Sequence, residues 1–263
     1  MTGRIIVRID GAVASVELDN PAQRNAISKA MCVELVELMP LLDADPAVTV
    51  VTLCGTGDTF SAGAQLSDLS SILMDEQDGE RVDHLSRADD AITSMSKTTI
   101  AMVDGACMGG GWQLASACDF IIASARSTFA ITPAKLGIIY PRPGIERLVR
   151  EVGPAAAKLI LFTGQTFSAA EARSFGLVAL TIANDTFAEE CARLVETIRS
   201  RSRFSLHHLK RLVDQTASSS PDLDSTWTEA WAAMGNNPDM ATGVDAFLAR
   251  ERPSFTWCPS AAQ

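Results

Sequence analysis

Residues 108–120 read MGGGWQLASACDF, with three consecutive glycines, Gly109, Gly110 and Gly111, immediately before a helical pattern. A glycine triplet loses more backbone entropy on folding than any other tripeptide, so something local needs a bare main chain. At a helix start the first N–H groups lack intrahelical acceptors. They can therefore be aimed at an anion or at developing negative charge. A tight strand-to-helix turn packed beneath a neighbour would use the same glycines without any chemistry. On this segment alone both readings stand.

The rest of the chain narrows the chemistry. The six cysteines, Cys32, Cys54, Cys107, Cys118, Cys191 and Cys258, show no C-x-x-C and no pairing rhythm, which predicts reduced thiols and no zinc site. His84, His207 and His208 match no metal spacing and lie far from the glycines in sequence, as surface or satisfied core histidines would. The formal charge of −10 over 263 residues, without a basic stripe, argues against nucleic-acid binding. An anionic ligand must then be held by local donors rather than by the overall field. No apolar run is long enough to cross a bilayer. The opening MTGRIIVRIDG runs straight into alternating apolar residues without a secretory or transit pattern, which predicts a cytoplasmic protein.

These donors need elements to hold them. IIVRIDGAVASVEL reads as a hairpin turning at Asp10-Gly11. Residues 27–42 carry helical spacing, ended by Asp45-Pro46. VTVVTLCG and TTIAMVDGACMGG are apolar runs of the kind a doubly covered strand has, and 112–117 then opens a helix. DFIIASARSTFAI reads as a further strand pair. The polar, acidic stretch 68–90 reads as a mobile loop running into a helix. Beyond Pro154 the pattern is helical, with a long amphipathic stretch over 187–216 and a Ser/Asp/Pro-rich linker at 217–224. The sum is an α/β core followed by a helical part.

Four segments together resemble the enoyl-CoA hydratase/isomerase (crotonase) family: DNPAQRNAIS (19–28), GDTFSAGAQLSDL (57–69), AMVDGACMGGGWQLASACDF (101–120) and TPAKLGIIYPRPGIERL (132–148). TGQTFSAAEARSFGLV (163–178) is similar to the helical turn that follows the family's core. The resemblance implies an α/β fold, a crotonase-like spiral of ββα turns over 1–190, with a helical C-terminal part over 191–263 that assembles a homotrimer or dimer of trimers. It implies an acyl-CoA thioester as substrate, coenzyme A entering as part of that substrate with no separate cofactor. By motif matching, the thioester oxygen would lie between the N–H groups of Ala64 and Gly110. Two fixed dipoles at that point act on charge that appears only in the transition state. Ala62, Gln65, Leu66 and Ala134 would line the acyl site. Arg24 matches a basic position near the phosphates, and Phe247 and Arg250 match positions that meet the nucleotide, commonly from a neighbouring subunit.

The chain also departs from the hydratase pattern. Where the family's hydratases carry two glutamates, this sequence has Gln113 and Ala134. An amide oxygen is too weakly basic to activate water, and alanine offers nothing. A reaction that forms an enolate without a strong base remains open: loss of CO₂ from a malonyl-type thioester. The segment 132–145 resembles the methylmalonyl-CoA decarboxylase branch, including Tyr140, the single tyrosine of the chain, whose phenol could anchor a carboxylate or help deliver a proton. Gln65 does not match the polar aromatic residue of that branch. Alternatives are a hydratase or isomerase whose base has moved, with Asp68 and Glu146 the candidate carboxylates, and a silent acyl-CoA-binding protein.

Overall fold

The computed structural model describes residues 3–258. The chain opens with β1 (Arg4–Asp10) and β2 (Val13–Asp19), paired antiparallel. The pairing of Asp10 with Val13 makes Gly11-Ala12 the two-residue loop, one position beyond the expected turn, with Gly11 at φ 55° where a tight hairpin needs a positive angle. In β2 every second residue, Ala14, Val16 and Leu18, is buried. Helix α1 (Lys29–Ala44) starts where Ser28 Oγ accepts from Met31 N–H, two residues later than the apolar spacing suggests. Then β3 (Val50–Gly55) runs parallel to β2, its first four residues buried as expected of a doubly covered strand.

The stretch expected to be a loop is built. It contains α2 (Leu69–Leu73), a small hairpin of β4 (Asp75–Gln77) and β5 (Glu80–Val82), and α3 (His84–Thr93). Asp75 ties the hairpin down by accepting from His84 Nε2 at 2.9 Å and Lys29 Nζ at 2.6 Å, bonds that hold its carboxyl well below the usual range.

The expected second apolar run is two strands in two sheets. β6 (Thr98–Val103) pairs with β3, and after Asp104-Gly105 the chain enters β7 (Ala106–Met108) of a smaller sheet, followed by α4 (Gly110–Ser116). The next pair splits in the same way. β8 (Phe120–Ser124) lies beside β6, whereas β9 (Thr128–Ala130) lies beside β7, so β8 and β9 are not partners. Each turn thus places one strand in the long sheet, one in the short sheet, and then helices, here α5 (Pro133–Leu136) and α6 (Arg142–Thr163). This repeat is the expected ββα spiral. It continues through β10 (Phe167–Ser168), α7 (Ala169–Phe175) and β11 (Leu180–Ile182). The sheets have strand orders β1-β2-β3-β6-β8-β11 and β10-β9-β7.

The amphipathic stretch after them is two helices, α8 (Phe187–Arg199) and α9 (Arg203–Ser218), divided where Ser202 caps α9 by accepting from Ser205 N–H. The 190/191 division falls inside α8, whose buried Cys191 and Val195 pack on Val50, Ile100 and Ile122 of the long sheet. Helices α10 (Leu223–Gly235) and α11 (Pro238–Ala249) complete the described chain. No helix of the described residues is long and apolar enough to cross a membrane.

Candidate active site

Two chain segments meet at one cavity. The first, residues 61–65, runs extended between two others. On one side Ser61 N–H donates to the Ala106 carbonyl (2.9 Å) and Met108 N–H to the Ser61 carbonyl (2.9 Å). On the other, Ile27 N–H donates to the Gly63 carbonyl (2.8 Å) and Gln65 N–H to the Ile27 carbonyl (2.8 Å). Ser61 Oγ adds a bond to the Asn25 carbonyl (2.7 Å) and accepts from Gly63 N–H (3.1 Å). This pattern uses the N–H groups on either side of Ala64 and leaves its own without an acceptor among the described residues.

The second segment is the glycine turn, and its three glycines have three different reasons. Gly109 sits at φ 47°, ψ −111°, a conformation that side-chain-bearing residues avoid, while a Cβ there would meet nothing within 4 Å. Gly110 is needed for close approach: a Cβ would lie 3.2 Å from Ala64 N and 3.2 Å from Leu85 Cδ2. Gly111 packs beneath the first segment, where a Cβ would come 2.8 Å from Ser61 Cβ. The expectation that all three clear the way for a ligand therefore reduces to Gly110. As the first residue of α4, Gly110 has an N–H with no intrahelical acceptor. The two segments touch, because a Cβ on Gly63 would lie 3.6 Å from Gly110 N.

Both residues line a cavity of about 180 Å³ whose walls are otherwise Ala62, Leu66, Leu69, Leu73, Leu85, Thr132, Pro133, Leu136, Ile138, Tyr140 and Pro141, with Gly63 and Gly109. No carboxylate or imidazole is among the lining residues. Tyr140 is 6% exposed, and its hydroxyl donates to the Gly109 carbonyl at 2.8 Å. Burial pushes the phenol well above its usual range, so it keeps its proton. That proton is committed to the main chain, whereas sequence reasoning held it available for a substrate.

The remaining sequence-selected residues fall in three places. Ala62 and Leu66 line the cavity, whereas Arg24 is not part of the lining and is tied to it only through its carbonyl, which accepts from Ala62 N–H at 2.8 Å. Gln65 and Ala134 lie in the flanking segments but are not part of the lining. Gln113 is wholly buried, outside the lining, and neither its Nε2 nor its Oε1 has a partner among the described residues. Phe247, 83% exposed, lines a separate groove between α11 and the start of α9, and Arg250 caps α11 in a left-handed conformation at φ 58°. The candidate replacement bases are elsewhere. Asp68 is outside the lining, and Glu146 pairs with Arg142 on the exposed face of α6.

Sequence reasoning missed two supports of this site. Gly144 has no room for a side chain, because a Cβ there would lie 2.5 Å from Tyr140 Cε1. Beside it, a buried ion pair joins Arg147 of α6 to Asp89 of α3 at 2.7 Å, with Arg147 Nη1 also reaching Ser116 Oγ on α4. The i, i+3 step from Gly144 to Arg147, neighbours on one helix, was the available signal.

Comparison with known proteins agrees with this geometry. The enoyl-CoA hydratase/isomerase family model matches residues 8–257. A probable enoyl-CoA hydratase of Rhizobium meliloti (strain 1021) is 32% identical, covering 95% of this chain and 97% of that protein. A crotonyl-CoA hydratase of Syntrophomonas wolfei is 29% identical, again over 95% and 97%. The crystal structure of an enoyl-CoA hydratase/isomerase family member superposes with a TM-score of 0.96 at 61% identity, covering 99% of each chain. The chain belongs to the enoyl-CoA hydratase/isomerase family and has its α/β crotonase spiral.

Proposed function

We propose that the cavity takes the acyl end of an acyl-CoA thioester, with the N–H groups of Ala64 and Gly110 on its carbonyl oxygen, and that the reaction is decarboxylation of a malonyl-type thioester. One observation carries this reading: Ala64 and Gly110, whose N–H groups have no acceptor among the described residues, line a cavity whose lining holds no carboxylate or imidazole. In the step, the bond between Cα and the carboxylate breaks, CO₂ departs, and its electron pair becomes the enolate whose oxygen the two dipoles stabilise. Water then returns a proton to Cα. An apolar wall favours the departure, since a carboxylate is costly to bury and CO₂ is neutral.

In this reading Ala62, Leu66 and the segments bearing Gln65 and Ala134 shape the acyl site. Gln113 occupies a hydratase position without hydratase chemistry. Coenzyme A enters as part of the substrate. Arg24 meets its phosphates at the cavity rim, and Phe247 and Arg250 meet the nucleotide of a neighbouring subunit. The assembly is a cytoplasmic homotrimer or dimer of trimers built through the helices after Pro154. Exposed Trp227, Trp231, Phe247 and Leu248 on α10 and α11 support that assembly.

A panel of acyl-CoA thioesters read by mass spectrometry tests the reaction. Malonyl- or methylmalonyl-CoA should lose CO₂. Crotonyl-CoA should hydrate very slowly, because the general acid–base assistance worth about 10²–10⁴-fold is missing. Hydration at a hydratase's rate would replace this reading with that of a hydratase whose base has moved. Tight binding without any product would mark a silent acyl-CoA-binding protein.

A further inference from the structure

The peptide joining Gly109 to Gly110 carries both the carbonyl that Tyr140 touches and the N–H of Gly110, a residue that lines the cavity. That unit is planar and trans, so its C=O and N–H point in opposite directions and turn together. Its orientation is set by ψ of Gly109 and φ of Gly110, and with glycine on both sides little steric resistance opposes rotation of the plane. Something outside the peptide must hold it.

Two bonds reach its carbonyl. One is the first helical bond of α4, Gln113 N–H to the Gly109 carbonyl at 3.1 Å. The other is the Tyr140 hydroxyl at 2.8 Å, arriving from the segment before α6. The phenol ring is itself seated. Its edge lies on Gly144, where no side chain fits, and its face is near Trp112, with ring centroids 6.3 Å apart. Gly144 lies within α6, in a conformation any residue can adopt, so the ring is what requires glycine there.

We propose that Tyr140 is the positioning residue of the Gly110 donor: by donating to the Gly109 carbonyl it fixes the Gly109–Gly110 peptide plane and so aims Gly110 N–H into the cavity. A second consequence follows from the same bond. A hydrogen bond accepted at a carbonyl polarises its amide and makes the attached N–H a better donor. Tyr140 thus acts on the substrate through the peptide and gives up no proton to it. The role of that N–H toward a thioester rests on the function proposed above. The hold on the peptide does not.

Two variants and two readouts test this. Tyr140→Phe keeps the ring on Gly144 and removes the proton, and Gly144→Ala keeps the proton and displaces the ring. In the ligand-free protein, both variants should shift the Gly110 amide resonance and speed its hydrogen exchange, while the Ala64 amide stays in place. In the second readout, a chromophoric cinnamoyl-type thioester bound to the unaltered protein should show a red-shifted absorption, and both variants should lose much of that shift. For the thioester that the panel shows to be turned over, kcat should fall about tenfold with KM within about twofold, less than the 10²–10³-fold typical of deleting a donor outright. An unmoved Gly110 amide in Tyr140→Phe would overturn the proposal. A full red shift retained in Tyr140→Phe would overturn it as well. No red shift in the unaltered protein would instead refute the proposed function, and the positioning role would then stand or fall on the amide signal.

Discussion

The two segments that meet at the cavity are held by different means. Residues 61–65 are tied to the flanking segments by five main-chain hydrogen bonds, two on one side and three on the other, with Ser61 Oγ bracing the middle. The Gly109–Gly110 peptide depends on one helical bond and on a tyrosine hydroxyl from 31 residues further along the chain. Main-chain pairing survives most substitutions, because every residue but proline brings its own N–H and C=O. A side-chain support is lost with one atom. Of the two donors proposed to serve one oxygen, one is thus insulated from mutation and the other is adjustable. Geometry at this site can therefore change through Tyr140 and its seat without unpicking the fold.

The largest expected effect comes from the adjustable side. Gly109→Ala introduces a methyl that meets nothing within 4 Å, so crowding plays no part. Its cost is conformational: φ 47°, ψ −111° is strained for alanine by about 1–3 kcal/mol. Turning the peptide relieves that strain and carries Gly110 N–H away from the cavity. Turnover of the preferred thioester should fall about 10²–10³-fold, the scale of one lost donor. Stopped-flow or single-turnover measurements on the variant check this, alongside its melting temperature. Full turnover with unchanged stability would mean that the peptide is not poised as described.

On the insulated side the expected effect is on stability. Ser61→Ala removes the hydroxyl that bonds the Asn25 carbonyl and Gly63 N–H, both buried groups. Leaving them unpaired costs about 1–3 kcal/mol. The main-chain bonds persist, so turnover per folded molecule should change far less than in Gly109→Ala. Denaturant unfolding paired with active-site titration separates the two quantities. A large loss of turnover at unchanged stability would show that Ser61, and not the main chain, holds the Ala64 donor.

The sequence and the structure part company over partners, not over elements. The order of the motifs around Arg24, Ala64, Gly110 and Tyr140 was enough to read the fold and to bring Ala64, Gly110 and Tyr140 to one cavity. The nearly continuous apolar run VTVVTLCG was enough to read a covered strand. The separate reasons for Gly109, Gly110 and Gly111 were hidden. They depend on a backbone angle, on Ala64 N and on Ser61 Cβ, none of which has a local signature. The Tyr140 bond was hidden for the same reason, since its acceptor is a carbonyl that any residue would have supplied. The β4–β5 hairpin escaped because its residues are acidic and polar. Its pairing is secured by Asp75 reaching His84 and by Lys29, 46 residues earlier in the chain.

The smallest effect concerns a residue on the same helix as Gly110 whose backbone and side chain differ in the same way as the two segments. The N–H of Gln113 is used, donating to the Gly109 carbonyl, while its side-chain amide is fully buried with neither polar atom paired among the described residues. A buried amide without partners destabilises the folded state by about 1–3 kcal/mol, and an apolar side chain of similar shape avoids that cost. Methionine is unbranched, close in length and adaptable in a packed core. It also leaves the backbone N–H, and hence the helical bond to Gly109, intact. Gln113→Met should therefore stabilise the protein by about 1 kcal/mol, a rise of a few degrees in Tm for a chain of this size. It should leave the Gly110 amide resonance unmoved, in contrast to Tyr140→Phe. Differential scanning calorimetry with and without a non-reactive acyl-CoA analogue measures both sides of the question. A lower Tm in the ligand-free variant would show that the amide is paired after all. A gain that disappears only when the analogue is bound would assign Gln113 a hydrogen bond to the acyl group, and would move it from a passive wall residue to one that selects the substrate.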